Sequence, residues 1–200
     1  NEILDFFKSV YFFNWKHFTL TKPGFINSDI FRLYLKPIIG EIKIKDLKKE
    51  LIINATDLIQ GETFVFSGDD YLLDAIIASC SVPGLASPFK KDELLLSDGG
   101  ILNNFPTNLI KEKCDKIIGI YVCPLQDVKK NQLNSIKSVA TRAYELLSHS
   151  VENYKFRDCD WLISPKELSN YGMFESKKTR MDELFQLGFS EAEKTFPKDF

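Results

Sequence analysis

Asp98 precedes two glycines, Gly99 and Gly100, at the end of the short apolar run Glu93–Ser97. A carboxylate at the carboxyl end of a strand sits where open α/β sheets place their ligands. There it can accept a proton, orient a hydroxyl or bind a metal. The glycines permit a sharp turn and keep side chains off the acid. Asp-Gly-Gly is also an ordinary turn sequence, so the tripeptide alone leaves a purely structural role open. Ser79, Ser81, Ser87 and Ser97 are the candidate serines for a nucleophile inside the chain. Ser97 adjoins Asp98 on one strand, so the two side chains are expected on opposite faces. Ser79 and Ser81 end a helical stretch, where hydroxyls bond backbone carbonyls. His149 falls off the apolar stripe of its helix, which favours a solvated role. His17 lies among aromatics, which favours packing. No Ser–His–Asp triad follows from these positions. Cys80, Cys114, Cys123 and Cys159 have no C-x-x-C spacing, so no metal site is expected. They read as small buried apolar residues in a reducing compartment.

The elements around Asp98 alternate in period. Leu51–Ile53 begins a strand, Asp57–Gly61 is turn-like, and Thr63–Ser67 reads as a second strand closed by Gly68. Leu72, Leu73, Ile76, Ile77 and Cys80 recur at helical spacing until Pro83 and Gly84. Pro106 suits the first turn of a helix to about Lys113. Lys116–Val122 (KIIGIYV) is a continuous apolar strand, expected to be buried on both faces as in a parallel sheet. Glu93–Val122 then has the size of one βαβ unit. A long helix is expected over Gln132–Lys155, with Leu133, Ile136, Ala140, Ala143, Leu147, Val151 and Tyr154 as its core stripe. Trp161–Ile163 reads as a strand closed by Pro165, and Arg180–Thr195 as the last helix. Near the start, Ile3, Leu4, Phe6, Phe7 and Val10 share an apolar face, Pro37 is expected to end a short helix carrying Ile30 to Leu35, and Lys43–Glu50 reads as a charged helical face. The expected class is α/β with three layers, helices covering both faces of a mainly parallel sheet, in one domain over residues 1–200.

Composition narrows the function. The 200 residues are 44% hydrophobic and 27% charged with a net charge of -2, which fits a folded globular chain and offers no bulk basic field for nucleic acid. No apolar run approaches the roughly 18 residues that span a bilayer. No signal peptide is visible, so a cytoplasmic location is the expectation. Phe6, Phe7, Tyr11, Phe12, Phe13, Trp15 and Phe18 crowd the start. They serve either core packing or an apolar rim where a lipid chain enters.

The order of several segments resembles the patatin-like phospholipase family. Ala78-Ser79-Cys80-Ser81-Val82-Pro83 is similar to its A-S-x-x-x-P segment. Pro88-Phe89, then Asp98-Gly99-Gly100, then Asn103-Asn104-Phe105-Pro106 follow in the family's order. Asn54-Ala55-Thr56-Asp57-Leu58 with Gly61 resembles its A-T-D-L-x-x-G hairpin, and Leu187-Gly188-Phe189 with Ala192 its final helix. The resemblance is close over Ile42–Val122 and loose elsewhere.

The resemblance implies a lipid acyl hydrolase working through a serine–aspartate dyad, with Asp98 as the base. The family's serine sits in a G-x-S-x-G elbow between strand and helix. Here no two of the ten glycines stand four apart, so the elbow is absent, as is a Gly-rich oxyanion loop. The nucleophile is therefore expected upstream of Asn1, the chain being the later part of the domain. No cofactor or metal is implied. The implied partner is a lipid or other acyl ester, with contact to a membrane surface as a further expectation; oligomeric state is left open. For Asp98 to act as base, partial burial must raise its pKa. The alternative is a catalytically silent lipid-binding or interaction module on the same fold; an unrelated α/β binding protein with Asp98 in a plain turn is a third reading.

Overall fold

A computed structural model describes residues 2–9, 24, 26–125, 127–172 and 175–198. His17, Tyr11, Phe12, Phe13, Trp15 and Phe18 lie outside the described residues, and with them most of the expected aromatic rim. The chain forms two compact units, residues 10–104 and residues 1–9 with 105–200.

The unit of residues 10–104 carries Asp98. It holds α2 (Ile30–Ile39), β1 (Ile53–Asp57), β2 (Glu62–Phe66), α3 (Leu72–Ser79), β3 (Phe89–Lys91) and β4 (Leu94–Asp98). The strands form one sheet in the order β2-β1-β4-β3. Each neighbouring pair is antiparallel. This corrects the expected mainly parallel sheet, and the cause is local. β1 and β2 are joined by the Leu58–Gly61 turn, with Gly61 at φ +70. β3 and β4 are joined across Asp92, at φ 51. Tight turns of this kind return the chain antiparallel. The crossover helix expected from Pro106 is only a 3-10 turn over Thr107–Leu109, too short to carry a βαβ unit. The parallel pairing that does occur is elsewhere.

Burial explains why β1 is central. Its residues from Asn54 to Asp57 are all buried. Ala55, Phe66 and Leu96 pack with Leu73, Ala75, Ile77 and Ala78 of α3 in one core that also takes in Ile44 and Phe89. Asp57 closes the hairpin, accepting a hydrogen bond from the Ile59 N–H at 2.9 Å. That is the Asx geometry for which aspartate is favoured in turns. The charged stretch Lys43–Glu50 forms only the 3-10 turn Ile44–Asp46, with Lys43 and Lys45 both paired to Asp69. α2 runs past Pro37 to Ile39, since a proline two residues from a helix end costs a single backbone bond.

The second unit contains α1 (Glu2–Ser9), β5 (Ile118–Ile120), α4 (Ile136–Glu152), β6 (Trp161–Ile163) and α5 (Lys178–Thr195). β5 and β6 pair in parallel as a sheet of two strands. α1 packs against α5, with Lys8 paired to Asp182. β5 is covered on one side only: Ile117 and Tyr121 are buried, while Ile118, Ile120 and Val122 are exposed. The expected burial of both faces therefore does not hold in a sheet this narrow. The α4 stripe is corrected in the same way, with Ile136 92% exposed and Leu147 67% exposed. Helical spacing identified the helix but not what covers it. Cys80, Cys114 and Cys123 are exposed and Cys159 is half-buried, so the cysteines are not core residues. Among the described residues, no helix is long and apolar enough to cross a membrane. The architecture is α/β, with helices and two separate sheets.

Candidate active site

Asp98 is the last residue of β4 and stands opposite Ala55 in the register with β1. Opposed residues of an antiparallel pair share a face, so its side chain lies on the side where Ala55 meets α3. Its position is thus set by a central antiparallel strand, not by the parallel-sheet ligand rule that the sequence suggested. Three backbone ties fix it. The Asp98 N–H donates to the Ser81 carbonyl at 3.0 Å. The Thr56 hydroxyl donates to the Asp98 carbonyl at 3.0 Å. Gly99–Ile101 then forms a 3-10 turn that Asp98 itself caps, its Oδ1 accepting from the Gly100 N–H at 2.7 Å.

Both glycines are required by close approach. A Cβ at Gly99 would stand 2.5 Å from the Asn54 amide nitrogen and 2.5 Å from the Asn54 carbonyl oxygen. A Cβ at Gly100 would stand 2.9 Å from the Asp98 carboxylate and 2.8 Å from Asn104 Oδ1. Gly100 thus keeps a side chain off the acid, while Gly99 lets the turn lie on Asn54. Gly99→Ala drives a methyl group into the β1 backbone, which cannot swing aside as a side chain would. Overpacking of this kind costs about 1–3 kcal/mol. Urea denaturation of Gly99→Ala should show a loss in that range.

Burial raises the Asp98 carboxyl above the usual aspartate range, and the Gly100 N–H opposes this by favouring the ionised form. Burial is the larger influence, so the net direction is upward. A carboxyl shifted upward and held by one backbone N–H can take a proton near neutrality better than a solvated one.

The serines sort as structural groups. The Ser81 hydroxyl donates to the Ile77 carbonyl at 2.7 Å, the back-bonding expected at a helix end. Ser97 is fully buried and donates to the Ser81 carbonyl at 2.6 Å. Ser87 lies 3.3 Å from the Ser28 hydroxyl. These three hydroxyls are thus engaged away from the Asp98 carboxylate, and Ser79 is half-buried as the last residue of α3. His149 is corrected: its Nδ1 is buried without a hydrogen bond, and its ring packs near Tyr121 and Phe156. A hollow of about 440 Å³ is lined by Asn153, Tyr154, Phe156 and Arg157, none of them a residue of the Asp98 turn.

From the sequence, Asn54 reads only as part of a hairpin and carries no role. In the structure it is buried, and its amide donates to the Asn103 carbonyl at 3.0 Å and to the Gly99 carbonyl at 3.4 Å. The signal was available: a polar amide interrupts the apolar start of a strand, where Asn is disfavoured.

Asp98 thus ends a strand in an Asp-Gly-Gly turn, beside an A-T-D-L hairpin and a covering helix in an α/β unit. Residues 1–110 match the family model of patatin-like phospholipases, and the chain belongs to that family. An uncharacterized NTE family protein of Mycobacterium bovis is 33% identical over 84 residues, covering 42% of this chain and 14% of that protein. Another, of Mycobacterium tuberculosis, is 33% identical over 89 residues, covering 44% of this chain and 24% of that protein. The chain thus spans less than a quarter of the length of these relatives.

Proposed function

We propose that residues 1–200 are the later part of a patatin-like acyl hydrolase domain and that Asp98 is the base of its serine–aspartate dyad. The serine comes from a G-x-S-x-G elbow in polypeptide outside these 200 residues. Its hydroxyl attacks the carbonyl of a fatty-acyl ester while Asp98 takes the proton. Backbone amides of a Gly-rich loop hold the oxyanion, and water then releases the acyl group. The substrate is a lipid ester, met at a membrane surface by a cytoplasmic protein. The observation that carries this reading is the Asp98 carboxylate itself, raised by burial and fixed by the Gly100 N–H in a chain of this family. The alternative is a catalytically silent lipid-binding or interaction module on the same fold, in which no elbow serine accompanies this chain.

The pH profile of ester hydrolysis tests the assignment. A base works deprotonated, so kcat/KM should rise with pH through the Asp98 midpoint. Because burial raises that midpoint, the limb should lie above the ordinary aspartate value of 3.8. The measurement uses a fatty-acyl nitrophenyl ester and a polypeptide that carries this chain together with an elbow serine. A limb that stays unchanged in Asp98→Asn would assign the base elsewhere.

A further inference from the structure

We propose that Asn54 is a positioning residue that holds the Asp98 turn against β1. The inference rests on the reading of Asp98 as base and extends it to a residue that touches no reacting atom. Asn54 is 9% exposed, so its amide must find partners inside the protein. It finds them on both sides of one loop. Its Nδ2 reaches the Gly99 carbonyl at the start and the Asn103 carbonyl at the end. The Asn103 N–H also closes back on the Gly99 carbonyl at 2.9 Å. One side chain therefore fastens the whole 99–103 loop to the central strand.

Two further observations give the fastening direction. Thr56, two residues along and so on the same face of β1, holds the Asp98 carbonyl. Asn54 and Thr56 form a pair of clamps on consecutive segments of the turn. The space between β1 and Gly99 admits no Cβ, so the loop lies directly on the Asn54 backbone. The Gly100 N–H that orients the carboxylate stands between the clamped Asp98 and Gly99 and the clamped Asn103. Without the Asn54 amide, the carbonyls of Gly99 and Asn103 lose that donor and Gly100 is freed to shift. Catalytic groups displaced by about 1 Å lose on the order of 100-fold in rate.

Amide hydrogen exchange in the 200-residue chain tests the clamp without any substrate. In Asn54→Ala, the Gly100 and Asn103 amides should exchange at least about 10-fold faster, while amides of the β1–β2 and β3–β4 pairs change less than about 2-fold. Acceleration spread evenly over the sheet, or none at Gly100, overturns the proposal. If Asn54→Ala fails to fold, Asn54→Ser, which keeps a hydroxyl donor, should show the same pattern with a smaller acceleration, still confined to Gly100 and Asn103. In the polypeptide bearing the elbow serine, Asn54→Ala should lower kcat about 10–100-fold with KM unchanged, and Asn54→Ser should recover part of it. Asp98→Asn is the control. If it leaves hydrolysis intact, the base assignment fails and the exchange pattern alone judges the clamp. If it abolishes hydrolysis while Asn54→Ala retains full kcat, the clamp fails and the base assignment stands.

Discussion

Asp98→Asn should lower ester hydrolysis by about 10²–10⁴-fold, the range a positioned base contributes. At 1.36 kcal/mol per factor of ten, that is about 2.7–5.5 kcal/mol of barrier. The substitution suits the question because it changes little else. The amide oxygen of Asn can still accept from the Gly100 N–H, now 2.7 Å from Oδ1, so the cap of the 3-10 turn survives. What is lost is the capacity to take a proton. Stability should move the other way. The folded carboxyl titrates above its unfolded value because of burial. A group shifted upward contributes stability that is full below the unfolded pKa and is lost as pH rises through the folded one. Above its folded midpoint the ionised Asp98 is therefore a liability to the fold, and there Asp98→Asn should unfold no earlier than the native chain. Lost activity with retained urea midpoint is the expected pair of results. A variant within about threefold of native activity would remove Asp98 from the chemistry.

Glu152→Ala should destabilise its unit by about 3–5 kcal/mol, the cost of breaking a buried ion pair by removing one member. Glu152 is 1% exposed and Lys155 is 4% exposed. Their charges meet at 2.8 Å, Glu152 ending α4 and Lys155 lying three residues on in the 3-10 turn Asn153–Asp158. The same Glu152 oxygen accepts from the Phe105 N–H at 3.1 Å. Truncation takes this carboxylate from the buried Lys155 ammonium, which lies over the Tyr154 ring at 5.9 Å, and takes the acceptor from Phe105, whose ring packs with Tyr121 and Phe156 edge to face or tilted within 5.8 Å. Burial in this setting also pushes the Tyr121 hydroxyl up to about 12. Replacing both charges, as in Glu152→Met with Lys155→Met, should restore most of the loss, because desolvation of the pair offsets much of its attraction. Urea denaturation followed by tryptophan fluorescence reads both variants. A single variant as stable as the native chain would show that the pair is not a structural tie.

The contrast between these two sites shows how far residue types carry. The hairpin of β1 and β2, helix α3, strand β6 and helix α5 were legible because period, turn residues and breakers agreed over each segment. Asp98-Gly99-Gly100 was legible because two adjacent glycines after a strand demand a reason, and the close approach to Asn54 and Asn104 supplies it. Sheet direction was not legible. It turned on β3, a strand of three residues that pairs Phe89 with Leu96, and on a proline-led turn that stops after Leu109 instead of forming a helix. The covering of α4 was equally hidden, since an apolar stripe says that a face is suited to burial and not that something lies on it. His149 was misplaced for the same reason: position on a helical wheel does not reveal the aromatic neighbours that Tyr121 and Phe156 bring from other segments. Asn54 was passed over because a strand amide reads as a flaw until its two acceptor carbonyls are seen.

Reaction with a serine-directed fluorophosphonate gives the most direct test of the dyad. The probe needs an activated hydroxyl and no lipid. A polypeptide carrying this chain and its elbow serine should label, the Asp98→Asn form should label on the order of 100-fold more slowly, and the 200 residues alone should not label. Equal labelling rates with and without the Asp98 carboxylate would contradict the account.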